Sequence, residues 1–234
     1  QAAGHAKVTW GPRERQRLDL AYQIQDQDDV PRTDKLVAGR DGKPPSHAEF
    51  LFEVERLEHA YVRHAAVEPF SGVERLTSTL SYQRQHEART LRKLVSGAPD
   101  SKIVRERDAD RTLGVQLQAS SAPPDGVAGA AHELTYGGEL YVDWIDSFRE
   151  VEDLAGGSIT ETPGAVADDS QYYSVGVYGQ DEIRVGDRLR AIAGGRWSWF
   201  HLHTGPIPEF GVLTHSFAAT TGSASLLFEL TRTV

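Results

Sequence analysis

The sequence predicts an all-β protein, an antiparallel up-and-down transmembrane β-barrel segment of about nine strands that forms a partial barrel. Long segments alternate between apolar and polar residues, which is the period-two pattern of a strand with one apolar and one polar face. The clearest is 172–200, two alternating arms around a Gly186-Asp187 turn. Long and short polar connections also alternate along the chain. That alternation is typical of a barrel with short turns at one rim and large loops at the other.

The first four predicted strands lie in the N-terminal half. The first is short, Ala6 to Trp10, and the second runs from about Arg15 to Gln25 with one apolar face formed by Leu18, Leu20, Tyr22 and Ile24. The third, about 50–64, has an ambiguous facing, which a β-bulge would explain. The fourth places Leu76, Leu80 and Tyr82 on one face. The polar stretches 26–47 and 86–107, which follow the second and fourth strands, are predicted to be loops.

Five more strands are predicted in the C-terminal half. The fifth and sixth have clear apolar faces, formed by Leu113, Val115, Leu117 and Ala119 and by Leu134, Tyr136, Leu140 and Val142. The Pro/Gly/Ala segment 121–131 connects them. An acidic stretch, 146–169, is predicted to be a loop before the hairpin at 172–200. In the last strand Leu226, Phe228 and Leu230 oppose Ser225, Glu229 and Thr231.

Composition excludes several classes of function. The 234 residues contain no cysteine, so disulfides and thiolate metal sites are excluded, and the formal charge of -9 argues against nucleic acid as a partner. No apolar run reaches the roughly 18 residues of a membrane-spanning helix. Because no nucleophile elbow, phosphate loop or zinc-helix motif is present, we expect neither enzymatic activity nor a tightly bound cofactor.

The hairpin resembles a pattern common in TonB-dependent outer-membrane receptors, in the order Tyr178, Gln180, Asp181, Glu182, a short turn, then Leu189, Ala191, Gly194 and Arg196. The segments LAYQIQDQDDVPRTDKL, LTSTLSYQRQHE, LTYGGELYVDWIDS and GSASLLFELT are similar to barrel strands of that family. Within the family, the resemblance is greatest to haem, haemoglobin and related siderophore iron-acquisition receptors.

The resemblance implies a location in the outer membrane of a Gram-negative bacterium, with outer-membrane lipid around the barrel. It also implies a small transported ligand, haem or a ferric siderophore, and energy from the TonB system through an N-terminal region. Family members carry a plug domain and form barrels of about 22 strands. We therefore expect residues 1–234 to be a partial barrel domain from a longer chain, with the plug domain not present. Two alternatives stay open: a passive channel or adhesin-like barrel without TonB coupling, and a soluble all-β binding module.

Basic residues in the predicted loop 86–107 are the leading candidates for ligand binding. They could attract an anionic siderophore or haem propionates. The alternative is an exposed loop of mixed charge. The candidates are Arg92, Lys93, Lys102, Arg105 and Arg107, with His86 at the start of the stretch.

Two weaker patterns suggest metal binding. His201 and His203 are spaced to project to one face of a strand, where they could ligate iron or another transition metal. Their parity with Trp197 and Trp199 favours interfacial histidines instead. Oxygen ligands from Asp26, Asp28 and Asp29 could hold calcium, although their spacing matches no EF-hand loop and also fits solvated loop carboxylates.

Overall fold

The computed structural model describes residues 1–40, 42–123, 130–186, 188–208 and 210–230. Three sequence predictions lie outside these residues: Asp187 of the hairpin turn, Thr231 of the last strand, and most of the connection 121–131. Among the described residues, no helix is long and apolar enough to cross a bilayer.

The described chain consists of eleven strands and one short helix. The elements are β1 (Ala2–Trp10), β2 (Gln16–Pro31), α1 (Thr33–Leu36), β3 (His47–Phe70), β4 (Val73–Val95), β5 (Ala98–Pro99), β6 (Lys102–Ser121), β7 (Ala131–Asp153), β8 (Ser158–Pro163), β9 (Ser170–Val185), β10 (Leu189–His203) and β11 (Thr214–Phe228).

Nine long strands form one antiparallel meander in the order β1-β2-β3-β4-β6-β7-β9-β10-β11, so the predicted all-β fold and strand number are confirmed. The short strands β5 and β8 pair with β4 and β7. Strands β1 and β11 are the two edges of the sheet, which is open. The ends where β1-β2, β3-β4, β6-β7 and β9-β10 join are called the turn side, and the opposite ends the loop side.

One face of the sheet, here called outward, carries an apolar row that crosses eight strands. Each member is the register partner of the next, and most are exposed. The row is Val8, Leu20, Val62, Leu80, Val115, Leu140, Val175 and Trp199. The opposite, inward face is polar at the same height. This separation is what a strand that meets lipid on one side requires.

The predicted loop 86–107 is wrong and the loop 146–169 is wrong in part, because strands continue into both, whereas the loop 26–47 is shortened only by the end of β2 at Pro31. The pairing of β4 with β6 begins where Arg75 lies opposite Ser120 and continues to where Leu91 lies opposite Val104. Strand β7 extends to Asp153. Strands β3, β4 and β7 have 24, 23 and 23 residues, about twice the 9–11 needed to span a bilayer. Beyond the apolar row the outward positions of these strands are largely polar, as at Arg84, His86 and Arg111, so the apolar alternation of the outward face stops while the backbone hydrogen-bond ladder goes on.

The facing of β3 is resolved by its register. Ala60 and Val62 point outward, and Leu57 and Tyr61 inward, without interruption from Val54 to Val67. Irregularities do occur, as the sequence suggested, but they lie at the two ends of the strand, between Phe52 and Val54 for example.

A small apolar core lies on the inward face at the loop side. Phe50, Leu91 and Val104 are buried there, and Leu36 of α1 packs against them. Arg32, just before α1, places its guanidinium 5.2 Å from the centre of the Phe50 ring. Helix α1 and the arginine before it are therefore held over the inward face of the strand extensions.

Candidate functional site

The inward face forms a groove of about 540 Å³ on strands β3, β4, β6, β7 and β9, called here the lumen groove. Hydroxyl, amide and aromatic side chains line it, together with one arginine and one glutamate. The lining side chains that the argument below uses are Tyr61, Arg63, Gln116, Gln118, Glu139, Tyr141 and Tyr178.

Hydrogen bonds between neighbouring strands hold this wall in place. Tyr178 donates its hydroxyl proton to Gln118 Oε1 at 3.0 Å, and the Gln116 amide donates to Tyr141 Oη. Arg196 is bonded to Glu139 and also donates from Nε to Ser198 Oγ at 2.9 Å. These polar groups satisfy one another, so the wall is ordered without an apolar core.

Gly137 is required where the Tyr178 side chain crosses β7. A Cβ added at Gly137 would lie 2.7 Å from Tyr178 Oη and even closer to a backbone carbonyl oxygen of β6. By contrast, a Cβ at Gly179, on the outward face, would have nothing within 4 Å.

Arg63 is the unpaired cation of the lumen groove. Among the described residues, no side chain forms an ion pair or hydrogen bond with it, and it is exposed. The rings of His59 and Tyr61 lie 5.8 Å apart beside it. An arginine with free donors can bind a carboxylate or another planar anion in bidentate fashion.

An aromatic stripe lies on the inward face of β9–β11. Tyr172 stacks with Phe200 at 6.0 Å between ring centres, and Phe200 with Phe217 at 4.8 Å. The sequence analysis missed this stripe. Its signal was available, because Phe200 has the opposite parity to Trp199 in a strand, but the cross-strand partner Phe217 becomes visible only through the register.

Acidic side chains dominate the inward face just above the groove. Glu55, Glu87 and Asp108 occupy one cross-strand row. Burial raises the pKa of Glu87, and Asp108 and Glu55 add to that rise, against the opposing charge of Arg89. The sequence analysis did not find this row, because it placed Glu87 in a loop.

The predicted basic residues do not form one patch. They lie on strands rather than in a loop, which corrects the predicted position. His86, Arg92, Arg105 and Arg107 take outward positions, whereas Lys93 and Lys102 take inward ones.

Two of the outward arginines already have partners. Arg105 forms ion pairs with Glu150 at 3.1 Å and Glu152 at 2.8 Å, and Arg92 Nε donates to the Asp100 carbonyl at 2.6 Å. Their positive charge and donors are therefore partly committed within the protein.

The two histidine candidates lie on the outward face of β10, as their parity predicted. Nδ1 of His201 lies 2.7 Å from Ser216 Oγ, and Nδ1 of His203 lies 3.1 Å from Thr214 Oγ1. The His201 ring stacks on Trp199 at 5.6 Å. Both imidazoles therefore make their contacts within the sheet, on its outward face.

The three aspartates lie on β2, not in a loop. Asp26 is bonded to Arg56, which lowers its pKa, and Asp29 has a positive φ of 54°. Asp28 pairs in register with Val54. Within the described part of the chain, no three His, Cys, Asp or Glu side chains are grouped so that they could hold a metal.

Comparison with known proteins gives a family and a set of similar folds. A family model described as TonB dependent receptor-like, beta-barrel, matches residues 9–234. No curated protein sequence matches the chain. The copper transporter OprC is similar over 98% of this chain and 34% of its own, with a TM-score of 0.73 and 14% identity.

Two further solved structures show the same fold. Ferric citrate transporter FecA in its unliganded form matches 98% of this chain and 33% of its own, at TM-score 0.70 and 17% identity. The siderophore receptor PiuA from Acinetobacter baumannii matches 97% of this chain and 39% of its own, with a TM-score of 0.67 and 15% identity. The chain thus spans about a third of the length of these proteins.

Proposed function

The chain belongs to the TonB-dependent receptor-like β-barrel family, and we propose that it forms part of the barrel wall of an outer-membrane receptor that imports a ferric chelate or haem. The observation that carries the proposal is the division of one sheet into an exposed apolar outward row and a polar lumen groove. A soluble binding module would instead cover its apolar face with a second layer. Within the described residues, no layer covers the outward row.

Energy coupling and ligand belong to the whole receptor, of which this chain is about a third by comparison with OprC and FecA. Those structures carry the names of transporters for copper and for ferric citrate, and PiuA that of a siderophore receptor. All three names refer to a metal ion or to a compound that chelates one. This supports a metal chelate as the ligand class here, and the family model supports TonB as the source of energy.

Within this wall, Arg63 and the aromatic stripe are the best-placed contacts for an anionic, partly aromatic chelate. Arg63 has free donors on the inward face, and the stacked rings of Tyr172, Phe200 and Phe217 offer apolar surface on the same face. Lys93 and Lys102, the inward members of the predicted basic set, lie closer to the loop side, beyond the acidic row of Glu55, Glu87 and Asp108. The outward members face away from the ligand path.

Uptake by cells tests the proposal. The receptor that contains this chain would be produced in an iron-starved Gram-negative host, with and without a working TonB system, and supplied with labelled ferric citrate, ferric catecholates or haem. We expect TonB-dependent uptake of one of these ligands. Equal uptake without TonB would show a passive channel, and no uptake of any of them would refute import of a ferric chelate or haem.

A pair of variants tests the lumen wall. Arg63→Gln removes the free inward cation, and we expect weaker binding, by about tenfold for a lost charge-assisted contact. Arg107→Gln is the matched control, because it removes an exposed arginine from the outward face. Equal effects of the two variants would contradict the assignment of Arg63 to the ligand path.

A further inference from the structure

Two arginines lie directly opposite each other on the outward face, where the apolar residues end. Arg84 of β4 and Arg111 of β6 are register partners, and the next outward pair toward the membrane is Tyr82 with Leu113. Like charges in directly opposed positions are unfavourable in an antiparallel sheet. The carboxylates of Glu58 and Asp146 offset part of this repulsion, and a negative group outside the protein would offset the rest.

Both guanidinium groups keep donors for such a group. Arg84 lies 3.8 Å from a Glu58 carboxylate oxygen, and Arg111 lies 2.6 Å from Asp146. Each arginine has five N–H donors, and one carboxylate uses only part of them. Their side chains are 48% and 46% exposed, so an external ligand can reach both.

An apolar groove of about 430 Å³ opens on the same face beside the arginine pair. Small Ala60 forms its floor, and Tyr22 and Tyr82 are its register neighbours on either side. Leu20, Val62 and Leu80 continue it toward the turn side. The groove is almost entirely hydrocarbon and aromatic, which suits an acyl chain.

We propose that Arg84 and Arg111 bind the phosphate of a membrane lipid whose acyl chain lies in the Ala60 groove. One phosphate between the two guanidinium groups would accept charge-assisted hydrogen bonds from both and remove their repulsion. Trp144, the register partner of Arg111 on β7, lies at the same level, where tryptophan is favoured at a membrane interface. The adjoining apolar groove selects a lipid over free phosphate.

This inference goes beyond transport and rests only on the outward face meeting lipid. Glu58 lies at the mouth of the groove, where it accepts a hydrogen bond from Tyr22 at 2.9 Å. Its charge and that of Asp146 keep the patch close to neutral overall. Recognition therefore depends on the opposed position of the two guanidinium groups rather than on a large positive field.

Lipid retention tests the proposal. The chain in detergent micelles would be titrated with phosphatidylglycerol, with dioleoylglycerol of the same chains, and with tail-less glycerophosphate, and bound lipid counted by native mass spectrometry. We expect selective retention of phosphatidylglycerol, weakened about tenfold or more in the Arg84→Gln/Arg111→Gln variant. Ala60→Phe, which fills the groove and keeps both charges, should also weaken retention.

A matched control is present in the chain. Arg184 and Arg190 are likewise opposed across β9 and β10, but on the inward face. The Arg184→Gln/Arg190→Gln variant should retain phosphatidylglycerol as the unmodified chain does. The proposal is overturned if this control loses as much lipid as the Arg84/Arg111 variant, if dioleoylglycerol is retained equally well, or if glycerophosphate competes at equal concentration. Ligand uptake by the receptor enters none of these readouts.

Discussion

Replacing Val115 with arginine tests whether the outward face meets lipid. Val115 is 45% exposed in the outward row, and Arg111 marks the level where charged outward residues begin on the same strand. The four residues between them span roughly 13 Å of strand, or about 10 Å of depth at a barrel tilt of about 40°. Val115 therefore lies near the middle of an apolar band about 25 Å tall.

The expected cost follows from that depth. An arginine on the lipid face costs about 2–4 kcal/mol at the bilayer midplane and about 0–1 kcal/mol near the interface. We therefore expect Val115→Arg to lower the free energy of unfolding by about 2–4 kcal/mol. Leu113→Arg, about 5 Å below the arginine pair by the same calculation, should cost markedly less.

The assay is denaturant unfolding of the chain in phospholipid vesicles, followed by tryptophan fluorescence. Gln116→Arg is the matched control, because Gln116 is the next residue and lines the polar lumen groove. It should cost about 1 kcal/mol or less, because the largest loss on this water-facing side is the hydrogen bond to Tyr141. If Val115→Arg and Gln116→Arg cost the same, the assignment of the two faces is refuted.

Three further outcomes are expected from denaturant unfolding. Gly137→Ala should destabilise the chain by about 1–3 kcal/mol, because the added Cβ has no room beside Tyr178. Gly179→Ala adds a Cβ in open space and should cost little, and equal costs of the two variants would contradict the close contact between Tyr178 and Gly137. Because burial raises the pKa of Glu87, the folded state holds that proton more tightly, so stability should fall as pH rises from about 4.3 through the raised value. Glu87→Gln should reduce this fall, and an unchanged pH profile would sink the explanation. Arg196→Met should cost about 1–3 kcal/mol of stability, because it leaves Glu139 unpaired in the wall. Adding Glu139→Gln should restore part of that stability, and strictly additive costs of the two substitutions would show that the residues are not coupled.

The candidate site was only partly predictable. The alternation of side chains along a strand identified the inward position of Tyr178 and the outward position of His201. It could do so because every second residue of a strand points to the same face. It could not show that Tyr178 crosses Gly137 or that Phe200 stacks on Phe217. Those contacts join strands that are adjacent in space, and they depend on registers that no single strand specifies.

The sequence by itself determined the fold class, the number of long strands and which residues of each membrane-level strand are apolar. It could do so because lipid on one side and polar groups on the other impose a period of two. Only the tertiary structure decided how far the strands extend beyond the membrane. There the outward face is largely polar as well, so the side chains give no regular apolar alternation, and cross-strand hydrogen bonds such as those between β4 and β6 set the strand ends. The same pairing placed Arg84 opposite Arg111 and separated the predicted basic residues onto two faces.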